Sequence, residues 1–196
     1  MFYNIIKNIA KVILKIFFSI KVHGLENIPS HGKLVLCSNH ASIWDPIFIS
    51  IIFPRQIFWM AKKELFDNKL LSFLINKLGG FHVDRDGSDI NAVKNAFRVL
   101  KNNNVLGIFP EGTRVKGYDL NNAKPGAALL SVKTKSPILP VYIHSNYKIF
   151  SKVNVYIGKP IDYSKNLNQK PNSKDYLEIS KDLLYKIYNL KNLGGN

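Results

Sequence analysis

The stretch Lys33-Leu34-Val35-Leu36-Cys37-Ser38-Asn39-His40-Ala41-Ser42-Ile43-Trp44-Asp45-Pro46 decides the fold. Its first half is a short unbroken apolar run, the mark of a strand buried on both faces. Asp45-Pro46 then opens a helix, because proline is tolerated in a first helical turn and aspartate is a frequent N-cap. A strand that passes through a short turn into a helix is the repeating unit of an α/β sheet. His40 lies in that turn, at the carboxyl end of the strand, where open α/β sheets place their ligand crevices. The single cysteine, Cys37, falls inside the apolar run and reads as a small core residue. One cysteine excludes an intramolecular disulfide and suits a reducing compartment.

Downstream the alternation repeats. Short apolar runs predict strands over 33–38, 56–61, 80–84, 105–109, 138–143 and 153–158, and helical periodicity predicts helices over 45–53, 63–78, 89–102, 124–134 and 174–192. The expected architecture is one α/β domain over residues 23–196, with a central mostly parallel or mixed sheet flanked by helices. A chain of 196 residues supplies one sizeable core and too little for two. The Asn- and Lys-rich stretch 164–174 reads as a surface loop before the last helix.

Upstream, residues 1–22 contain no acidic residue and form a segment of their own. At 100° per residue, Asn4, Lys7, Asn8, Lys11, Lys15 and Ser19 share a narrow polar face, and Phe2, Ile5, Ile9, Ile13 and Phe17 belong to the wide apolar remainder. The lysines recur too often for a spanning helix, which needs about 20 predominantly apolar residues, and they interrupt any signal-peptide core. The expectation is an amphipathic helix lying in a membrane interface, Lys7, Lys11 and Lys15 meeting anionic head groups. The plainer alternative is a helix packed on the domain's own core. A net charge of +15, from 28 basic and 13 acidic residues, favours an anionic partner. Lysine, asparagine and isoleucine are abundant throughout, so the four arginines, Arg55, Arg85, Arg98 and Arg114, are the more telling cations.

Two clusters carry chemistry. His40 and Asp45 stand with four residues between them; an imidazole takes a proton from an attacking hydroxyl while a carboxylate fixes its tautomer. Asp45 also fits a simple helix cap, and one carboxylate has oxygens enough for both roles. The second cluster, Phe109-Pro110-Glu111-Gly112-Thr113-Arg114, follows a strand. Gly112 permits a tight turn, Arg114 offers a planar fork for phosphate oxygens, and Glu111 either orients the arginine or accepts from a substrate hydroxyl. Asp84-Arg85 ends another strand and reads equally as a turn with Asp86-Gly87; Lys124-Pro125-Gly126-Ala127-Ala128 opens a helix. P-loops, paired-cysteine and His-Glu-x-x-His metal spacings, and the Gly-x-Ser-x-Gly elbow of serine hydrolases are absent from the sequence.

In this order and spacing the motifs resemble those of glycerolipid acyltransferases, and more narrowly the bacterial 1-acylglycerol-3-phosphate acyltransferases, the PlsC-like family, over nearly all of residues 22–160. The resemblance implies that His40 is a general base with Asp45 as its partner. It implies that Arg85, Glu111 and Arg114 bind the acceptor's phosphate and glycerol end, that Gly112 and Thr113 shape that loop, and that Lys124 adds a cation. The implied reaction moves a fatty acyl group from acyl-CoA or acyl carrier protein to lysophosphatidate, without cofactor or metal, on the cytoplasmic side of a membrane, with no nucleic-acid partner. The chain departs from the family pattern at His82 and at Val115-Lys116. Another lysophospholipid as acceptor, a serine lipid hydrolase using Ser38 or Ser42, and a non-enzymatic basic membrane-binding module are the competing readings.

Overall fold

The computed structural model describes residues 2–84, 89–165 and 171–194. Among the described residues seven strands form one sheet, in the order β1-β7-β6-β2-β5-β3-β4. They are β1 (Ser19–His23), β2 (Leu34–Ser38), β3 (Ile57–Lys62), β4 (Phe81–Val83), β5 (Val105–Ile108), β6 (Ile138–His144) and β7 (Lys152–Ile157). Strands β2 to β6 are mutually parallel. β7 runs antiparallel to β6, and β1 lies parallel to β7 at the edge. The mixed sheet expected from the sequence is therefore present. The helices are α1 (Phe2–Phe17), α2 (Asp45–Ile52), α3 (Lys69–Lys77), α4 (Ile90–Lys101), α5 (Gly126–Thr134) and α6 (Ser173–Asn189).

The central strands alternate between two apolar layers, as a strand with opposite-facing successive side chains must. Leu34 and Leu36 join α1 and α2 in one layer, with Phe48, Ile49 and Ile51. Val35 and Cys37 face the other, with Ala96, Val99 and Leu100 of α4, Leu130 of α5 and Leu183 and Ile187 of α6. Cys37 is fully buried, and burial pushes its thiol up, away from the ionised nucleophile.

The connection from β2 leads through α2 outward to β3, whereas that from β5 leads through α5 back across to β6. Adjacent strands whose connections diverge leave a crevice between their carboxyl ends. His40 follows β2 and Glu111 follows β5, so the topology brings both motifs to one switch point.

The N-terminal segment differs from its sequence reading in length and in Lys7, which turns inward to the Phe53 carbonyl. The helix stops at Phe17, and residues 19–23, of which the 1–22 helical segment had included all but His23, pair with β7 instead. Ile20 continues the apolar stripe of the helix, whereas Val22 falls on its polar face; a period of two fits both, and they pair with Val153 and Val155 in the ladder. The 63–78 helix likewise divides, into a short 3-10 turn over Lys63–Phe66 and α3, which Asn68 caps through the amides of Leu70 and Leu71.

Candidate active site

His40 Nδ1 lies 2.9 Å from Asp45 Oδ2. An ionised carboxylate only accepts, so Nδ1 carries the proton and Nε2 holds the free lone pair. The imidazole is fixed on its other side by stacking. Its ring lies 3.8 Å from that of Phe109 at 12°, and Phe109 stacks on Trp59 at 5.0 Å and 14°. This column exists because Gly107 on β5 has no side chain: a Cβ there would meet the Trp59 ring at 2.5 Å.

Asp45 is fully buried. Its Oδ2 also accepts from the amides of Ala41 and Ser42 at 2.8 and 2.7 Å, and Tyr147 Oη donates to Oδ1 at 2.5 Å. Four donors thus replace the water a buried carboxylate would otherwise lack. The cap expected from the sequence takes a different form. Asp45 is the first helical residue rather than the N-cap, which is Trp44, and it reaches back to the turn preceding the helix. Helix α2 and the His40 turn are consequently tied through one carboxylate.

Asn39, the neighbour of His40, substitutes for a strand partner. Its side-chain oxygen accepts from the Ile143 amide at 2.8 Å and its amide donates to the Ile143 carbonyl at 3.0 Å. Glu111 is 1% exposed. Its Oε2 accepts from the His40 backbone amide at 2.7 Å and its Oε1 from Tyr188 Oη of α6 at 2.7 Å. The Val115 amide in turn donates to the His40 carbonyl at 2.8 Å. Glu111, expected to touch the acceptor, thus faces protein donors with both oxygens and holds the two motif loops together. Its burial pushes its carboxyl up to about 7, against the lowering by the Tyr188 and His40 hydrogen bonds.

Beside this junction opens a cleft of about 580 Å³. Phe109 and Glu111, both in contact with His40, line it together with Met60, Lys62, Gly112, Thr113 and Lys124. Gly112 adopts φ +69°, a left-handed turn closed by its amide to the Phe109 carbonyl, and its α-carbon faces the Lys124 side chain. Gly126 and Ala127 at the N-terminus of α5 also face the cleft. Its unpaired amides and positive dipole end favour an anion. Lys124 is among the residues that line the cleft. Arg114 stands exposed immediately after Thr113 and forms no ion pair among the described residues. Arg85 lies outside the described residues; Asp84, just before it, lines the cleft.

No local motif marks Tyr147 or Tyr188, which reach their carboxylates across 102 and 77 positions. Lys62 was findable, since it ends a parallel strand beside β5, where crevices form. The serines offered as nucleophiles are placed elsewhere. Ser38 is fully buried and donates to Asn39, and the Ser42 hydroxyl accepts from the Trp44 amide.

Residues 19–144 match the family model described as Acyltransferase. The chain is 31% identical to the 1-acyl-sn-glycerol-3-phosphate acyltransferase of Bacillus subtilis over 97% of both chains. It is also 31% identical to that of Streptococcus pneumoniae over 84% of this chain and 64% of the other. Among solved structures, the crystal structure of PlsC, the 1-acyl-sn-glycerophosphate acyltransferase of Thermotoga maritima, is similar at a TM-score of 0.77 and 26% identity. The likeness covers 99% of this chain and 80% of that one.

Proposed function

The chain belongs to the acyltransferase family, and from that premise we propose that it acylates the free hydroxyl of lysophosphatidate to give phosphatidate. The observation that carries the mechanism is the His40–Asp45 contact at 2.9 Å beside a cleft to which Lys62 and Lys124 contribute. Nε2 removes the proton as the acceptor oxygen attacks the thioester carbonyl, and Asp45 stabilises the imidazolium that forms. The imidazolium then returns the proton to the departing thiolate, so the acyl group passes directly to the acceptor. General base catalysis contributes about 10²–10⁴-fold, and anchoring of the acceptor supplies further rate through positioning.

Lys62, Lys124 and the N-terminus of α5 bind the acceptor's phosphate, with Arg114 closing over it from the rim and Arg85 joining them as the family resemblance implies. The donor is an acyl thioester of coenzyme A or of acyl carrier protein. Both substrates are anionic, which matches the net charge of +15.

The protein works at the cytoplasmic face of an anionic membrane as a peripheral enzyme. Among the described residues no helix is long and apolar enough to cross one. Helix α1 packs on the core through Leu14 and half-buried Tyr3, Ile6 and Ala10, while Phe2, Ile5, Ile9, Ile13, Ile16 and Phe17 point outward. Lys11 and Lys15 are exposed beside them, whereas Lys7 turns inward to the Phe53 carbonyl. The outward face is thus apolar with a basic margin, the pattern of an interfacial helix.

The test is an assay of the purified protein with both thioesters. It compares lysophosphatidate with head-group-bearing lysophospholipids and with monoacylglycerol, which has no phosphate. Preference for lysophosphatidate is expected, and equal use of monoacylglycerol overturns the phosphate-binding reading.

A further inference from the structure

The loop joining β6 to β7 exposes its most apolar residues. Ile149 and Phe150 are 65% and 77% accessible, and Phe150 is the most exposed large hydrophobic side chain among the described residues. Tyr147 and Phe150 both adopt left-handed backbone conformations, φ 57° and 65°, which side chains with a Cβ take at a cost. A strained loop that presents a phenyl ring to water is not explained by packing within the domain.

The loop is fastened to α1. The Phe150 amide donates to the Phe17 carbonyl at 2.6 Å, their rings lie 6.3 Å apart, and the Ser19 amide donates to the Ser151 carbonyl at 3.1 Å. The outward apolar face of α1 therefore continues onto Ile149 and Phe150. Lys148 and Lys152 flank them, both exposed, and neither residues 1–25 nor 120–161 include an acidic side chain. An apolar ridge margined only by cations fits a bilayer carrying anionic lipid.

We propose that the 145–151 loop is a second membrane anchor, Ile149 and Phe150 entering the interface of an anionic phospholipid bilayer beside α1. This rests on the membrane reading of α1. The anchor adjoins the chemistry, because Tyr147 of the same loop donates to Asp45. Lipid contact therefore holds the mouth of the site, with exposed Ile43 and Trp44 next to His40, against the bilayer that contains the acceptor.

The test uses the full chain and vesicles of phosphatidylglycerol. Ile149→Ser combined with Phe150→Ser weakens vesicle binding about tenfold or more while the melting temperature and turnover of a monomeric short-chain lysophosphatidate are kept. A parallel variant, Ile5→Ser with Ile9→Ser and Ile13→Ser, tests α1 alone. Insertion is read directly from Phe150→Cys carrying a polarity-sensitive fluorophore, since buried Cys37 does not compete for the label. A blue shift on adding vesicles is expected. Wild-type binding by the loop variant, or no shift from the label, overturns the second anchor. Wild-type binding by the α1 variant overturns the membrane reading beneath it. A loop variant that binds vesicles normally but fails only with acyl carrier protein as donor assigns the ridge to a protein partner and overturns the proposal.

Discussion

At the scale of single residues, the chemistry depends on which proton each carboxylate receives. Asp45→Asn keeps one oxygen for His40, Ala41 and Ser42, and Tyr147 Oη can turn to accept from the new amide, so the fold survives. The charge that stabilises the imidazolium is lost, and turnover is expected to fall about 10²-fold or more at an unchanged melting temperature. Turnover within a few-fold of wild type would refute the partnership. Glu111 behaves differently. Its carboxyl is raised from its ordinary 4.5 to about 7 by burial, so the folded state binds the proton more tightly than the unfolded chain. That contribution is full below the unfolded value and is lost as pH climbs through about 7. Glu111→Gln is expected to flatten this decline, measured as melting temperature against pH, and to leave the Michaelis constant for lysophosphatidate nearly unchanged. A large rise in that constant would return Glu111 to the substrate. His40, Asp45 and Glu111 were legible in the sequence because local motifs mark them. Their tyrosine partners were not, because contacts across about a hundred positions leave no periodic trace.

At the scale of elements, the strands were readable because burial on both faces makes each β2-like run continuously apolar. The differences fell at element ends, where a helical stripe runs on into a strand, as it does through Ile20 into β1, or where a short 3-10 turn precedes a helix, as at Lys63–Phe66. The motif turn after β5 depends on Gly112 at φ +69°, where an added Cβ would also meet Lys124 Cγ at 3.3 Å. Gly112→Ala is expected to cost about 1–2 kcal/mol in denaturant unfolding, from the left-handed backbone. It also displaces Lys124, so acceptor affinity falls with it. Unaltered stability and affinity would show that the loop relaxes freely.

At the scale of the whole molecule, the basic surface, the outward face of α1 and the switch-point cleft converge on a lipid phosphate. Helix α1 is also a structural layer, since its Leu14 and the adjoining Phe18 belong to the core with Phe48, so its deletion would test folding as much as binding. Reversing Lys11 and Lys15 to glutamate leaves that packing intact. It is expected to weaken binding to anionic vesicles about tenfold or more, because each lysine near such a surface contributes about 1 kcal/mol. The deficit should shrink as salt screens the surface, and equal binding by the variant would remove lipid charge from the account. The architecture could be read from the alternation of runs, but the continuity between α1 and the 145–151 loop could not, because it depends on how distant edges meet in space. Direct transfer is tested by following a labelled acyl thioester with lysophosphatidate through wild type and His40→Ala. Label passing straight to phosphatidate, with none retained on protein and a loss of about 10²-fold or more in the variant, is the expected result; label trapped on a serine, or undiminished turnover without His40, would contradict direct transfer by a histidine base.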